Sequence, residues 1–443
     1  MRRCGWGVDV PFLAPSNRPV SGRFCTAPPR SSVPFADHAA PRLCRLLPFL
    51  GPAFVASIAY VDPGNFATNV QAGSAYGYAL LWVIVASNAM AVLLQTLSAK
   101  LGIATGQNLA EVCRERLPRP VALGMWAGME VVAVATDLAE FLGAAVGFSL
   151  LFGTPLLAGG LVTAVATVAL LETQRRGFRP LEVVVVWFLA VIAGCYLVEL
   201  ALARPDWGAL AQGAVVPRFE GPESVVLAAG ILGATVMPHA LYLHSALTQN
   251  RTPASTDAER ARVFRYERVD IAVAMGLAGL VNGAILVMAA AAFHRGGVGE
   301  VATLETAYRT LEPVLGRLAE EAFALSLVVA GLASSVVGTL AGQSIMVGFT
   351  GWDVPLWLRR AVTMAPSLAV IALGLDPTRT LVVSQVVLSV GLPLAVVPLV
   401  AFTASRETMG PLVNRRATTV AAWTAAGLVL ALNGYLLVAL ATG

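Results

Sequence analysis

Charge is scarce in this chain: Asp, Glu, Lys and Arg make up only 13% of its 443 residues, about half the share usual in a soluble domain. Lysine stands only at position 100, so 29 of the 30 basic residues are arginine. An ordinary soluble enzyme is excluded by this composition. Cysteine is sparse as well. Cys4, Cys25, Cys44, Cys113 and Cys195 form no C-x-x-C and are odd in number, which argues against a disulfide framework or a thiolate metal centre. No nucleophile triad, phosphate-cradling glycine loop or H-E-x-x-H pair is present to support a catalytic reading. The net charge of +4 gives no reason to expect a nucleic-acid partner.

Apolar residues fill the space that charge leaves. They make up 57% of the chain, and its mean hydropathy is +0.73. Runs of about 20 apolar residues, enough for a bilayer span, recur from Leu46 to the C-terminus. Read against their breakers, they predict eleven transmembrane helices: 46–72, 78–103, 121–151, 155–172, 181–203, 223–249, 269–293, 317–348, 357–375, 380–404 and 417–441. Residues 1–45 differ in being rich in Pro, Ser and Arg, and are expected to form a disordered tail. With that tail in the cytoplasm, 24 basic residues fall inside and only Arg204, Arg218, Arg295, Arg309, Arg317 and Arg379 outside. That asymmetry sets the orientation. An odd number of spans then places Gly443 outside the cell, in a multi-pass protein of the inner or plasma membrane.

The first and sixth spans carry a proline at mid-length within matching sequences. The first reads Ala59-Tyr60-Val61-Asp62-Pro63-Gly64-Asn65, the sixth Ala234-Thr235-Val236-Met237-Pro238-His239. They align as Ala-x-Val-x-Pro, with Asp62 at the place of Met237. Membrane helices satisfy their own backbone, so matched interruptions need a reason. Corresponding breaks in two halves predict an inverted-repeat transporter. Residues 46–203 form the first five-helix repeat, 223–404 the inverted second, and 417–441 an extra helix. At each break the carbonyl of Ala59 or Ala234 loses its helical donor and is free to face a shared cavity.

One carboxylate (Asp62), one carboxamide (Asn65), one thioether (Met237) and the two freed carbonyls make a mixed oxygen and sulfur set. Mg²⁺ and Ca²⁺ prefer oxygen alone, so the thioether shifts the preference toward Mn²⁺, Fe²⁺ or Co²⁺, and toward the softer Cd²⁺. A single formal negative charge suits a carrier that must release its ion. The ion is cargo, and no cofactor is expected.

Asp62-Pro63-Gly64-Asn65 and Met237-Pro238-His239 resemble the paired signatures of the Nramp family of proton-coupled divalent metal transporters. Ala-Thr-Asp-Leu-Ala-Glu-Phe-Leu-Gly at 135–143 resembles span three of its bacterial manganese transporters. The likeness runs over about residues 45–443. It implies the leucine-transporter-type inverted-repeat fold, metal ligation by Asp62, Asn65, Met237 and the Ala59 and Ala234 carbonyls, and a further ligand from span ten at Gln385. Relatives that carry magnesium or aluminium lack the methionine, so Met237 argues against those branches.

Glu130, Asp137 and Glu140 lie on one face of the third span by helical spacing, and an acidic stripe inside a membrane suggests a proton route. Contact with Arg359 or Arg360, at the start of span nine, is the structural alternative, compatible with the first. His239 and His244 are about 140° apart on a helix and are poor candidates to clamp one ion. The resemblance links them to pH dependence and gating, although packed polar roles fit equally. Asn88, Gln95, Asn282 and Asn433 are expected to make hydrogen bonds between helices, and Asn282 also to line a vestibule.

The chain is therefore expected to import Mn²⁺ or Fe²⁺ together with protons, acting as a monomer in the bilayer. A sodium-coupled amino-acid carrier of the same fold is the near alternative, but Asp62 would repel a substrate carboxylate. An integral-membrane enzyme or sensor lacks any supporting motif.

Overall fold

The computed structural model describes residues 51–442 except 175–177, 250, 252–253, 255, 298–300 and 302. The tail expected at 1–45 lies outside the described residues. Among those described, every regular element is helical, as a bilayer interior demands of a chain that must pair its own backbone.

The first apolar run forms two helices, α1 (Pro52–Ile58) and α2 (Pro63–Tyr76). Then follow α3 (Leu81–Thr105), a short α4 (Leu109–Arg116), α5 (Arg119–Phe152), α6 (Leu156–Gln174) and α7 (Phe178–Ala203). After the short α8 (Trp207–Val215), the sixth run is again split, into α9 (Pro222–Thr235) and α10 (Pro238–Thr248). The second half continues with α11 (Asp257–Ala289), α12 (Leu304–Leu315), α13 (Arg317–Thr350), α14 (Leu356–Ala372), α15 (Pro377–Ala404), α16 (Arg406–Met409) and α17 (Arg416–Thr442). Each of the expected runs falls on a helix or a broken pair. Eight segments among the described residues are long and apolar enough to cross a bilayer, and Leu156–Glu172 is a shorter apolar helix. The broken α1–α2 pair and the 17-residue α14 fall outside that set, so length and apolarity alone give fewer spans than eleven.

Helix ends follow local chemistry. Asn108 with Glu111 and Thr256 with Glu259 form capping boxes at the starts of α4 and α11, while left-handed Gly106, Gly153 and Gly351 close α3, α5 and α13. The second box starts α11 twelve residues before position 269, where apolarity begins. Glu267, expected in the loop before that run, thereby becomes a buried helix residue, and Asp270 is buried one turn further on.

The two longest helices, α5 and α13, pack side by side at the centre. At Gly331 a side chain would collide with the backbone of Ala144, so the two backbones approach closely. α5 also supports the first break: Gly143 has no room for a Cβ because the Pro63 ring lies on it.

Candidate metal site between the two helix breaks

Both breaks follow from where proline stands. A helical carbonyl is paired by the N–H four residues on, and proline has none. Pro63 and Pro238 therefore free the carbonyls of Ala59 and Ala234. Between Ala59 and Val61 the chain tightens into i→i−3 bonds, and Asp62 then caps α2, accepting from Asn65 N at 3.0 Å and Gly64 N at 3.2 Å. Met237 occupies the equivalent cap position of α10 with extended backbone angles.

The breaks meet across Asn65. Its Nδ2 donates to Asp62 Oδ1 at 2.6 Å and to the Ala234 carbonyl at 2.9 Å. Its Oδ1 lies 3.5 Å from Thr235 Oγ1. Gln385 approaches from α15: a Cβ on Gly64 would strike its carboxamide, and its Oε1 is buried without a hydrogen-bond partner. Asp62 is 2% exposed, and Ala59, Asn65, Ala234 and Met237 are fully buried, so this conformation is closed to solvent. Among the described residues no group of three His, Cys, Asp or Glu side chains is placed to hold a metal. Any ion held here must rely on neutral oxygen and sulfur beside one carboxylate.

The acids of α5 divide between two arginines of α14. Arg359 Nη2 lies 2.9 Å from Glu130 Oε2, and Trp126 Nε1 donates to Glu130 Oε1 at 3.0 Å. Arg360 Nη1 lies 3.0 Å from Asp137 Oδ1, while the same guanidinium donates to Ser335 and Thr339 on α13. Glu140, fully buried, has neither oxygen hydrogen-bonded. It stands against Gly338 and has Asp137, Asp62 and Arg360 as charged neighbours.

The two histidines of α10 occupy separate surroundings. His239 Nδ1 lies 3.3 Å from Thr136 Oγ1 on α5, with its Nε2 unpartnered. His244 bridges Gln95 Oε1 at 2.8 Å and Glu267 Oε1 at 3.1 Å.

A polar network around α1 joins Gln95 and Asn282, expected to bond between helices, to Asp270, Glu182 and Arg251, which the sequence did not single out as site residues. Asp270 accepts from Ala53 N at 2.9 Å and from Gly51 N, supplying acceptors to the first turn of α1. Arg251 lies 2.5 Å from Glu182, and Gln95 donates to Tyr60 Oη at 2.8 Å. Asn282 donates to the Tyr60 carbonyl at 2.6 Å and accepts from Asn69 at 3.2 Å. Glu267 fell just outside the apolar run 269–293 because the polar start of α11 lacks apolar periodicity, and Asp270, at the edge of that run, was given no role. The capping box at Thr256 was the available signal.

Paired breaks in an all-helical membrane scaffold, with polar groups converging between them, define a membrane carrier. Comparison with known proteins narrows the class. The family Nramp, natural resistance-associated macrophage protein-like, matches residues 53–439. A relative in Deinococcus radiodurans, named divalent metal cation transporter MntH, is 55% identical over 409 residues, covering 92% of this chain and 94% of its own. The crystal structure of a manganese transporter from Eremococcus coleocola superposes with a TM-score of 0.83 at 33% identity, covering 91% of this chain and 88% of that one. Mhp1, a nucleobase-cation-symport-1 family transporter, shares the fold alone, at a TM-score of 0.60 and 15% identity. The chain belongs to the Nramp family, and it is a multi-pass membrane transporter, not an enzyme.

Proposed function

We propose that this protein imports divalent transition-metal ions, Mn²⁺ or Fe²⁺ and also Cd²⁺ and Co²⁺, across the inner membrane with protons, by alternating access. The observation that carries the reading is Asn65 Nδ2 bridging Asp62 Oδ1 and the Ala234 carbonyl. Two oxygens from the two breaks converge on one donor, where a cation would serve both better. Rotation of the Asn65 carboxamide would turn its oxygen to the ion, with Met237 sulfur, the Ala59 carbonyl and Gln385 Oε1 completing the set.

Binding a divalent cation favours ionised Asp62 and expels its proton. Asp137 and Glu140 are the acceptors nearest in kind, with Glu130, His239, His244, Arg359 and Arg360 shaping the rest of the route. Release toward the cytoplasm requires α1 to part from Asp270, which opens the path beneath the ion. In this reading residues 46–203 and 223–404 are the two repeats that rock against each other, 417–441 stands outside them, and one copy of the chain suffices. The N-terminus is cytoplasmic and Gly443 external.

The test is uptake by proteoliposomes with competing divalent ions outside and a pH-sensitive dye inside. Mn²⁺ entry accompanied by acidification, competed by Fe²⁺, Co²⁺ and Cd²⁺ but not by Mg²⁺, is the expected result. Uptake insensitive to those ions, or no metal-linked acidification, would overturn the selectivity or the coupling respectively.

A further inference from the structure

α15 contains two prolines within one continuous helix, Pro393 and Pro398. By the rule that opens the metal site, they remove the backbone donors of the Ser389 and Leu394 carbonyls. An unpaired carbonyl is costly where water is excluded. Each of these two is satisfied by a side chain from a different helix. Asn433 Nδ2 of α17 donates to Ser389 O at 2.5 Å. Tyr242 Oη of α10 donates to Leu394 O at 3.0 Å. The clamp on Ser389 is double, since its hydroxyl donates back to Asn433 Oδ1. Both donor residues are buried.

These latches bear on the site. Ser389 follows Gln385 by one helical turn. Its side chain and the Gln385 carbonyl lie against Gly233, where no side chain fits, and the next residue is Ala234 with its freed carbonyl. Tyr242 rides on the helix that Met237 caps. One latch therefore ties α15 to the helix outside the repeats, and the other ties it to the half-helix that must move when the ion passes.

We infer that Asn433 and Tyr242 are positioning residues for Gln385: each replaces a proline-deleted backbone donor, and together they hold α15 in the register that presents the Gln385 carboxamide to the ion. This rests on the reading of Gln385 as a ligand. It assigns a positioning role to α17, which packs against α15. Without the latches α15 bends freely at Pro393 and Pro398, and Gln385 withdraws.

The experiment uses the full chain in proteoliposomes with Mn²⁺ as the probe, together with hydrogen exchange of the amides of residues 384–392 in detergent. Asn433→Ala is expected to raise KM for Mn²⁺ about tenfold, the result of cutting the population with Gln385 in place to about a tenth, with kcat little changed, and to speed that exchange. Tyr242→Phe, which loses only a hydroxyl, should raise KM in the same direction and guards against a variant that fails to fold. Pro393→Ala returns an N–H to Ser389, so it should restore both KM and exchange in the Asn433→Ala background. Pro398→Ala should do the same for the KM of Tyr242→Phe. Asn433→Ala should add nothing to Gln385→Ala. Full additivity, a fall in kcat at unchanged KM, or no rescue by proline replacement would overturn the proposal. Unchanged exchange in Asn433→Ala overturns the latch whatever Gln385 does. Raised exchange with a neutral Gln385→Ala overturns instead the reading of Gln385 as a ligand, and with it the positioning role.

Discussion

Arg360 Nη1 stands 3.0 Å from Asp137 Oδ1, with both side chains buried in the helical core. The guanidinium also donates to Ser335 and Thr339 on α13, so one cation joins α5, α13 and α14. Glu140, one turn beyond Asp137, has no such partner. The α5 acids thus differ in their surroundings although they share a helical face, and a proton acceptor must be sought among unequal groups.

Removing either member of that pair leaves a buried charge alone, which typically costs about 3–5 kcal/mol. Arg360→Gln and Asp137→Asn are each expected to lower the thermal midpoint in detergent, and the double variant to recover much of the loss. Asp137→Asn should still bind Mn²⁺, with slower transport and sharply reduced acidification per ion. Full acidification in that variant would remove Asp137 from the proton route; lost Mn²⁺ binding would place it beside the ion.

Asp62→Asn separates folding from binding. Asparagine caps a helix as well as aspartate does, so the variant should keep its thermal midpoint. Loss of the single carboxylate should cost about 2–5 kcal/mol of metal binding, read by calorimetry as undetectable Mn²⁺ affinity and by proteoliposomes as absent uptake. Wild-type uptake in this variant would move the site elsewhere.

Met237→Ala should spare part of Mn²⁺ transport, because water can fill the vacated position, while weakening Cd²⁺ and admitting Ca²⁺ or Mg²⁺ as competitors. Competition assays decide it. If Ca²⁺ is rejected as well as by the unaltered protein, the sulfur is not the filter.

Orientation is open to single-cysteine labelling in a cysteine-free background. A cysteine replacing Arg260 should react with an impermeant reagent only from the cytoplasmic side, and one replacing Gly443 only from outside. Reaction of both from one side would require an even number of crossings.

Much of this architecture was legible residue by residue. The apolar runs mark the helices, and Pro63 and Pro238 mark the breaks. The carbonyls they free follow by counting four residues back, because a missing N–H acts within one turn and needs no knowledge of the rest of the chain. The same count applied to Pro393 and Pro398 names Ser389 and Leu394, yet nothing in the sequence says that Asn433 and Tyr242 answer them.

Partnership across helices is what the tertiary structure decided. Arg359 and Arg360 are adjacent in sequence, yet one meets Glu130 and the other Asp137, because neighbours on a helix point about 100° apart and only the packing of α14 against α5 assigns each its acid. Asp270 reaches the start of α1 across more than two hundred residues, and Gly143 is left bare so that the Pro63 ring can lie on it. Periodicity and breakers are local properties of a chain, whereas the choice of partner depends on which distant surfaces the buried helices bring within hydrogen-bonding range.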